Sequence, residues 1–258
     1  MEQIKIIFFD IDGTLIDPQT KKVSALTAQT LNRLRANGVK VCVATGRPPA
    51  SLPNFGDLQF DAMITFNGAL AYTDQETIFA APISQDTVHR VISNVTNLGR
   101  PVSVAVRDRL VANGREQDLA DYYTVAGLVL TVAEDFDEVC RQDVFQIMMG
   151  CRETDHAAII QGVEGVKIAL SWERAADVIS EDGGKGNGIR AVLKHFGLAP
   201  SQAMAFGDSF NDLEMLQAVT YGVAMGNAIA ELKQIAWDVC GAVWDEGIYH
   251  YCLEKGMI

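Results

Sequence analysis

Phe8-Phe9-Asp10-Ile11-Asp12-Gly13-Thr14-Leu15 closes an apolar run with two carboxylates two residues apart, and the fold turns on how this stretch is read. Upstream, Ile4, Ile6, Ile7, Phe8 and Phe9 form a nearly continuous apolar run, as expected of a parallel strand covered on both faces. Asp10 then stands at the carboxyl end of that strand. A backbone that stays extended for two more residues points Asp10 and Asp12 to the same side, and Gly13 permits a tight turn away. Two anions about 4 Å apart repel by roughly 4 kcal/mol at an effective dielectric near 20. The pair therefore calls for a positive partner, and a divalent cation is expected. The same letters also fit a plain strand followed by an Asx-type turn, so the rest of the chain must separate the two readings.

Three further apolar runs end in the same manner: Val39 to Thr45-Gly46, Ala62 to Asn67-Gly68, and Ala203 to Gly207-Asp208. Ligands of a doubly wound sheet lie outside the carboxyl ends of its strands, so Asp10, Thr45, Asn67 and Asp208 are expected to converge. Helical patterns separate the runs. Ser24 to Asn37 carries Leu26, Thr27, Thr30, Leu31 and Leu34 near one face and stops at Gly38. Ile189, Val192, Leu193 and Phe196 make a second stripe, closed by Gly197. A strand over Gly222 to Met225 and a helix over Ala228 to Ala236 follow. This alternation predicts an α/β fold with a doubly wound, Rossmann-like parallel sheet.

Between residues 82 and 180 the pattern changes. A helix over Gln85 to Leu98 precedes an alternating strand Val102 to Val106, with Leu110 to Ala112 as its hairpin partner. Gly127 to Val132, Val144 to Met149, Val166 to Leu170 and Asp177 to Ile179 read as further strands, and Asp155 to Ile160 as helix. Strands this closely spaced suggest an inserted α+β domain with an antiparallel sheet, interrupting a core made of residues 1–81 and 181–258.

Composition narrows the partners. The 258 residues, 48% of them hydrophobic, are ample for two cores. A formal net charge of -12 repels nucleic acid and anionic membrane at long range. Neither is an expected partner. No apolar run reaches the length of a membrane span, and the N-terminus enters its first strand without a signal-like segment, so a cytoplasmic protein is expected. Cys42, Cys140, Cys151, Cys240 and Cys252 are odd in number and widely spaced, which argues against a disulfide framework or a zinc site. Cys42, in Val-Cys-Val-Ala, reads as a small buried hydrophobe.

With these residues in view, the chain resembles the haloacid dehalogenase superfamily, and within it the Cof-type phosphatases. Phe9 to Leu15 is similar to the first motif, Ala44-Thr45-Gly46-Arg47-Pro48 to the second, Lys185-Gly186 to the third, and Gly207-Asp208-Ser209-Phe210-Asn211-Asp212 to the fourth. Asn67-Gly68-Ala69 and Val223 to Ala228 also resemble Cof-type signatures. The resemblance implies that Asp10 attacks phosphorus and that Asp12 serves as acid and then base. It implies Thr45, Gly46, Arg47, Asn67, Lys185 and Asn211 around the substrate. It further implies Mg²⁺ held by the Asp10 and Asp208 carboxylates and the Asp12 backbone carbonyl, with Asp212 in support. The insertion resembles the larger cap of that superfamily, which influences substrate choice. The implied substrate is a small phosphorylated metabolite, such as a sugar phosphate.

Each position also has a purely structural reading. Asp212 fits a capping box with Ser209, Asp208 a Gly-Asp turn, and Arg47 a surface ion pair. Lys185, among Gly183, Gly184, Gly186 and Gly188, fits a solvated and mobile loop. A Walker phosphate loop is excluded, because Gly186 rather than Ser or Thr follows Lys185. Two alternatives to a phosphatase stay open: a phosphomutase using the same Asp pair, and a non-catalytic phosphate-sensing protein. For the hydrolytic reaction Asp12 must hold a proton at the outset, so its surroundings are expected to favour the neutral form more than those of Asp10 do.

Overall fold

A computed structural model describes residues 4–125 and 127–258, apart from the side chains of residues 170 and 171. The chain divides into two compact units, one formed by residues 1–46, 53–79 and 184–258, the other by residues 47–52 and 80–183.

The first unit is built on an eight-stranded sheet. Its order is Asp238–Val239, Tyr221–Ala224, Ala203–Gly207, Ile6–Phe9, Lys40–Ala44, Ala62–Thr65, Leu70–Tyr72, Thr77–Ala80. The six strands from Asp238–Val239 to Ala62–Thr65 run parallel, and Leu70–Tyr72 adds on antiparallel. Ile6–Phe9 sits at the centre with all four residues buried, which accounts for its unbroken apolar run. Phe9 stacks on Phe206 of the adjacent strand, with ring centroids 5.2 Å apart, and Tyr251 meets Phe206 edge-on.

The helices start and stop where their sequence signals lie. Helix Ala25–Ala36 is capped by Ser24, whose hydroxyl accepts the Thr27 N–H, and buries Thr27, Thr30, Leu31 and Leu34. Helix Lys185–Phe196 ends at Gly197 in the left-handed conformation.

The second unit holds a five-stranded sheet ordered Val166–Trp172, Ala175–Ser180, Gln146–Gly150, Val102–Ala105, Leu110–Ala112, antiparallel throughout. Alternation sends Val102, Val104, Ile147, Met149, Ala176 and Val178 into one apolar core, where they meet Val88, Val91 and Val95 of helix Gln85–Asn97.

Three expectations need correction. Gly127 to Val132 is not a strand, since only Val132 bridges to Ala112 and Val129 is 83% exposed. Apolar content without a second paired residue cannot sustain a ladder. The backbone does not run extended from Asp10 to Asp12: it turns at Ile11, whose carbonyl accepts the N–H groups of Leu15 and Ile16. A short antiparallel ribbon, Ile16–Asp17 with Lys22–Val23, follows that turn. Lys185 lies not on a mobile loop but in the first turn of a helix, where it is buried with Gly186 and Gly188.

Phe206 is fully buried at the heart of the main sheet. Phe206→Ala is therefore expected to lower the stability of this unit by about 3–5 kcal/mol, read from denaturant unfolding. A change below about 1 kcal/mol would contradict the packing described.

Candidate active site

The strand register brings the site together. Phe9 lies beside Phe206 on one side and Val43 on the other, and the Asp10 N–H donates to the Phe206 carbonyl at 3.0 Å. Asp10 therefore emerges next to Gly207 and Ala44, with Asp208 and Thr45 one residue further along. Asn67, just beyond strand Ala62–Thr65, joins by donating its N–H to the Thr45 carbonyl at 3.0 Å. The expected convergence of Asp10, Thr45, Asn67 and Asp208 is found.

Lys185 organises the acids. Its Nζ donates to Asp10 Oδ1 and to Asp212 Oδ1, each at 2.6 Å, and its side chain is fully buried. A lysine can reach this depth only if the helix that starts with it packs closely. A Cβ on Gly186 would come within 2.7 Å of the Glu214 carbonyl oxygen, and one on Gly188 within 2.5 Å of Ile64. The glycines around Lys185 thus serve close packing rather than mobility.

Asp212 takes up its capping role and also faces Lys185. Its Oδ2 accepts the backbone N–H groups of Asp208 and Ser209 at 2.9 and 3.0 Å, while Oδ1 takes Lys185. Asp208 is oriented in turn by Thr14, whose hydroxyl donates to Asp208 Oδ1 at 3.1 Å. Asn227 ties the first loop down by donating to the Gly13 carbonyl at 2.8 Å, and its own Oδ1 accepts the Val243 N–H. Neither Thr14 nor Asn227 drew a role from the sequence. Both stand inside recognised motifs, which was the available signal.

Carboxylate oxygens of Asp10, Asp208 and Asp212 lie within 4.8 Å of one another. Asp12 is not among these side chains, and the metal role implied for it runs through its backbone carbonyl. Three acids against one ammonium leave an excess of negative charge, which acts together with burial on the protonation equilibria. Burial pushes the Asp10 carboxyl well above the usual range; Lys185 pulls it back, while Asp212 and Asp208 add to the rise. Burial, then the Asp212 charge, push Asp208 up to about 7 against the hydrogen bond from Thr14. Burial works against the Lys185 ammonium, yet the two carboxylates outweigh it and hold it charged. Asp12 itself is exposed, whereas Asp10 is buried. The expectation that surroundings favour a neutral Asp12 over a neutral Asp10 is therefore not met by burial: the turn at Ile11 carries Asp12 outward.

The remaining expected residues divide. Thr45 is buried at its strand end, and Asn211 donates from Nδ2 to Asn67 Oδ1 at 2.9 Å. Arg47 groups instead with the second unit, where its guanidinium donates to the Ser51 carbonyl. Cys42 is fully buried, and desolvation pushes its thiol up, as befits a core residue.

Three hard oxygen donors beside a lysine suit Mg²⁺ better than a soft metal. The chemistry available is the binding of a divalent cation, and of an anion beside it, next to the buried Asp10 carboxyl. No helix among the described residues is long and apolar enough to cross a membrane.

A family model described as haloacid dehalogenase-like hydrolase matches residues 7–252. YkrA of Bacillus subtilis strain 168, which carries a provisional phosphatase name, is 30% identical over 260 aligned positions covering 98% of each chain. The 5-amino-6-(5-phospho-D-ribitylamino)uracil phosphatase YitU of the same organism is 28% identical over 96% of each chain. Among solved structures, the subclass IIB sugar phosphatase BT4131 superposes with a TM-score of 0.88 at 30% identity, covering 98% of this chain and all of that one.

A group whose folded-state pKa is raised contributes stability that is present at low pH and lost as pH rises through the raised value. In metal-free protein, the Asp208 contribution is present below the ordinary carboxylate range and disappears towards pH 7. The thermal midpoint of metal-free wild type should fall over that interval more steeply than that of Asp208→Asn. Parallel pH profiles for the two proteins would contradict the buried placement of Asp208.

Proposed function

Because the chain belongs to the haloacid dehalogenase-like hydrolases, we propose that it is a Mg²⁺-dependent phosphatase of small phosphate monoesters, acting through an aspartyl-phosphate. The observation that supports this reading most is the bridge from buried Lys185 to both Asp10 and Asp212, with Asp208 completing a set of oxygen donors at the strand ends.

A carboxylate can approach an anionic phosphate monoester only where positive charge is already in place. Lys185 supplies one such charge and fixes the rotation of the Asp10 carboxylate through Oδ1. Asp10, Asp208 and Asp212, with the Asp12 carbonyl, would hold Mg²⁺. When bound there, the ion supplies a hard positive charge against the phosphoryl oxygens. Thr45 and Asn211 hydrogen-bond the phosphoryl group.

In the first half-reaction an Asp10 oxygen forms a bond to phosphorus as the ester P–O bond breaks, and Asp12 gives its proton to the departing oxygen. In the second, Asp12 takes a proton from water, the water oxygen bonds to phosphorus, and the Asp10–phosphorus bond breaks to regenerate the carboxylate and release phosphate. The covalent intermediate divides one difficult displacement into two easier ones. Asp12 is exposed on its turn, which supports a part in proton exchange with the leaving group and water.

Residues 82–180 are assigned to substrate choice. BT4131 is named for sugar phosphates and YitU for a phosphorylated ribityl chain. A phosphate ester on a sugar or sugar-derived chain is therefore the proposed substrate class.

Purified protein is expected to hydrolyse an aryl phosphate with Mg²⁺ and not with EDTA, and Asp10→Asn to abolish turnover. Undiminished hydrolysis by that variant would defeat the assignment of the nucleophile. For Asp12→Ala, alkyl phosphates, which need a protonated leaving oxygen, should lose about 10²- to 10⁴-fold in kcat, and aryl phosphates much less. Equal losses on the two classes would remove Asp12 as the acid.

A further inference from the structure

The segment that follows strand Ala62–Thr65 adopts an unusual backbone. Phe66 and Asn67 both have left-handed conformations, with φ of 52° and 51°, and Gly68 continues at 93°. A single asparagine tolerates this region, because its short amide bonds locally, but a bulky aromatic does not favour it. Two such residues in succession persist only where the surroundings over-determine them. Phe66 is fully buried and Asn67 is 4% exposed.

Three hydrogen bonds hold Asn67, and each reaches a different part of the active site. Its N–H donates to the Thr45 carbonyl at 3.0 Å, and its carbonyl accepts the Gly184 N–H at 2.8 Å, immediately before Lys185. Its side-chain Oδ1 accepts from Asn211 Nδ2 at 2.9 Å. The fit on either side is close. A Cβ on Gly68 would stand 2.0 Å from the Gly184 carbonyl oxygen, and one on Gly46 would stand 2.8 Å from Asn67 Oδ1.

We propose that Asn67 is a positioning residue: its left-handed main chain sets the Thr45 loop and the start of the Lys185 helix, and its side chain orients Asn211 toward the phosphoryl group. One N–H of Asn211 is spent on Asn67, which leaves the second for a phosphoryl oxygen. Asn67 thus acts through Asn211 rather than by touching substrate. This rests on the phosphatase reading above.

Two variants separate the side chain from the backbone. Asn67→Gly keeps the left-handed conformation and both main-chain bonds, and removes only the amide. Asn211→Ala removes the oriented group. With an aryl phosphate as substrate and inorganic phosphate as inhibitor, each variant should lose about tenfold in kcat/KM and weaken phosphate inhibition to a similar extent. In the double variant the two losses should not add, and the thermal midpoint of Asn67→Gly should stay within a few degrees of wild type. Wild-type kcat/KM in Asn67→Gly, or a further tenfold loss when it is added to Asn211→Ala, would overturn the proposal.

The Asn211 side-chain amide signal in ¹⁵N NMR, assigned by its loss in Asn211→Ala, gives a readout independent of turnover. It should shift and exchange faster with solvent in Asn67→Gly; an unchanged signal would also overturn the proposal. Failure of wild type to hydrolyse any phosphate ester, with the NMR shift intact, would instead count against the phosphatase reading.

Discussion

A fully buried ammonium between two carboxylates is the constraint to which the rest of the core answers. Removing Lys185, Asp10 and Asp212 from water is costly, and their mutual attraction offsets that cost only with short, well-aligned contacts. Contacts of 2.6 Å on both sides meet that requirement. They depend on Ile6–Phe9 and Ala203–Gly207 being in register, on a helix that can approach through Gly186 and Gly188, and on Asp212 being fixed by the N–H groups of Asp208 and Ser209. Even then one lysine does not balance three acids. Burial raises Asp10 and Asp208 in the metal-free protein and the neighbouring carboxylates add to the rise; the unbalanced charge is the physical reason to expect a cation there.

The two acids of the first motif occupy different environments because the chain turns between them. Asp10 ends the central strand and stays buried, whereas the bend at Ile11 carries Asp12 out to solvent. A nucleophile needs a fixed direction of approach, and a proton shuttle needs contact with water and with the leaving group. In the proposed reaction the turn would serve both needs from residues only two apart. Thr14 and Asn227 then brace that turn against Asp208 and the last part of the chain.

Much of this was legible in the sequence. Apolar runs ending in Asp10, Thr45, Asn67 and Asp208 specified which strand ends would meet, because a buried parallel strand can expose polar side chains only where it stops. Ser24 and Gly197 marked helix ends by local chemistry alone. What stayed hidden depends on contacts between distant segments or on conformations the residue types do not advertise. A lysine among glycines reads as a loop until the helix packing of Gly186 and Gly188 is seen. Phe66 gives no sign that it adopts a positive φ. Gly127 to Val132 is rich in β-branched and apolar residues like a strand, but pairing needs a partner strand, and beyond the bridge at Val132 it has none among the described residues.

The claim that the Lys185-centred acid cluster is completed by a divalent cation is tested most directly by titrating Mg²⁺ into metal-free protein in a calorimeter, with Asp208→Asn as the comparison. One saturable site per chain in wild type, lost in the variant while its fold persists by circular dichroism, is the result predicted. Equal Mg²⁺ binding by the two proteins, or none by wild type, would contradict it.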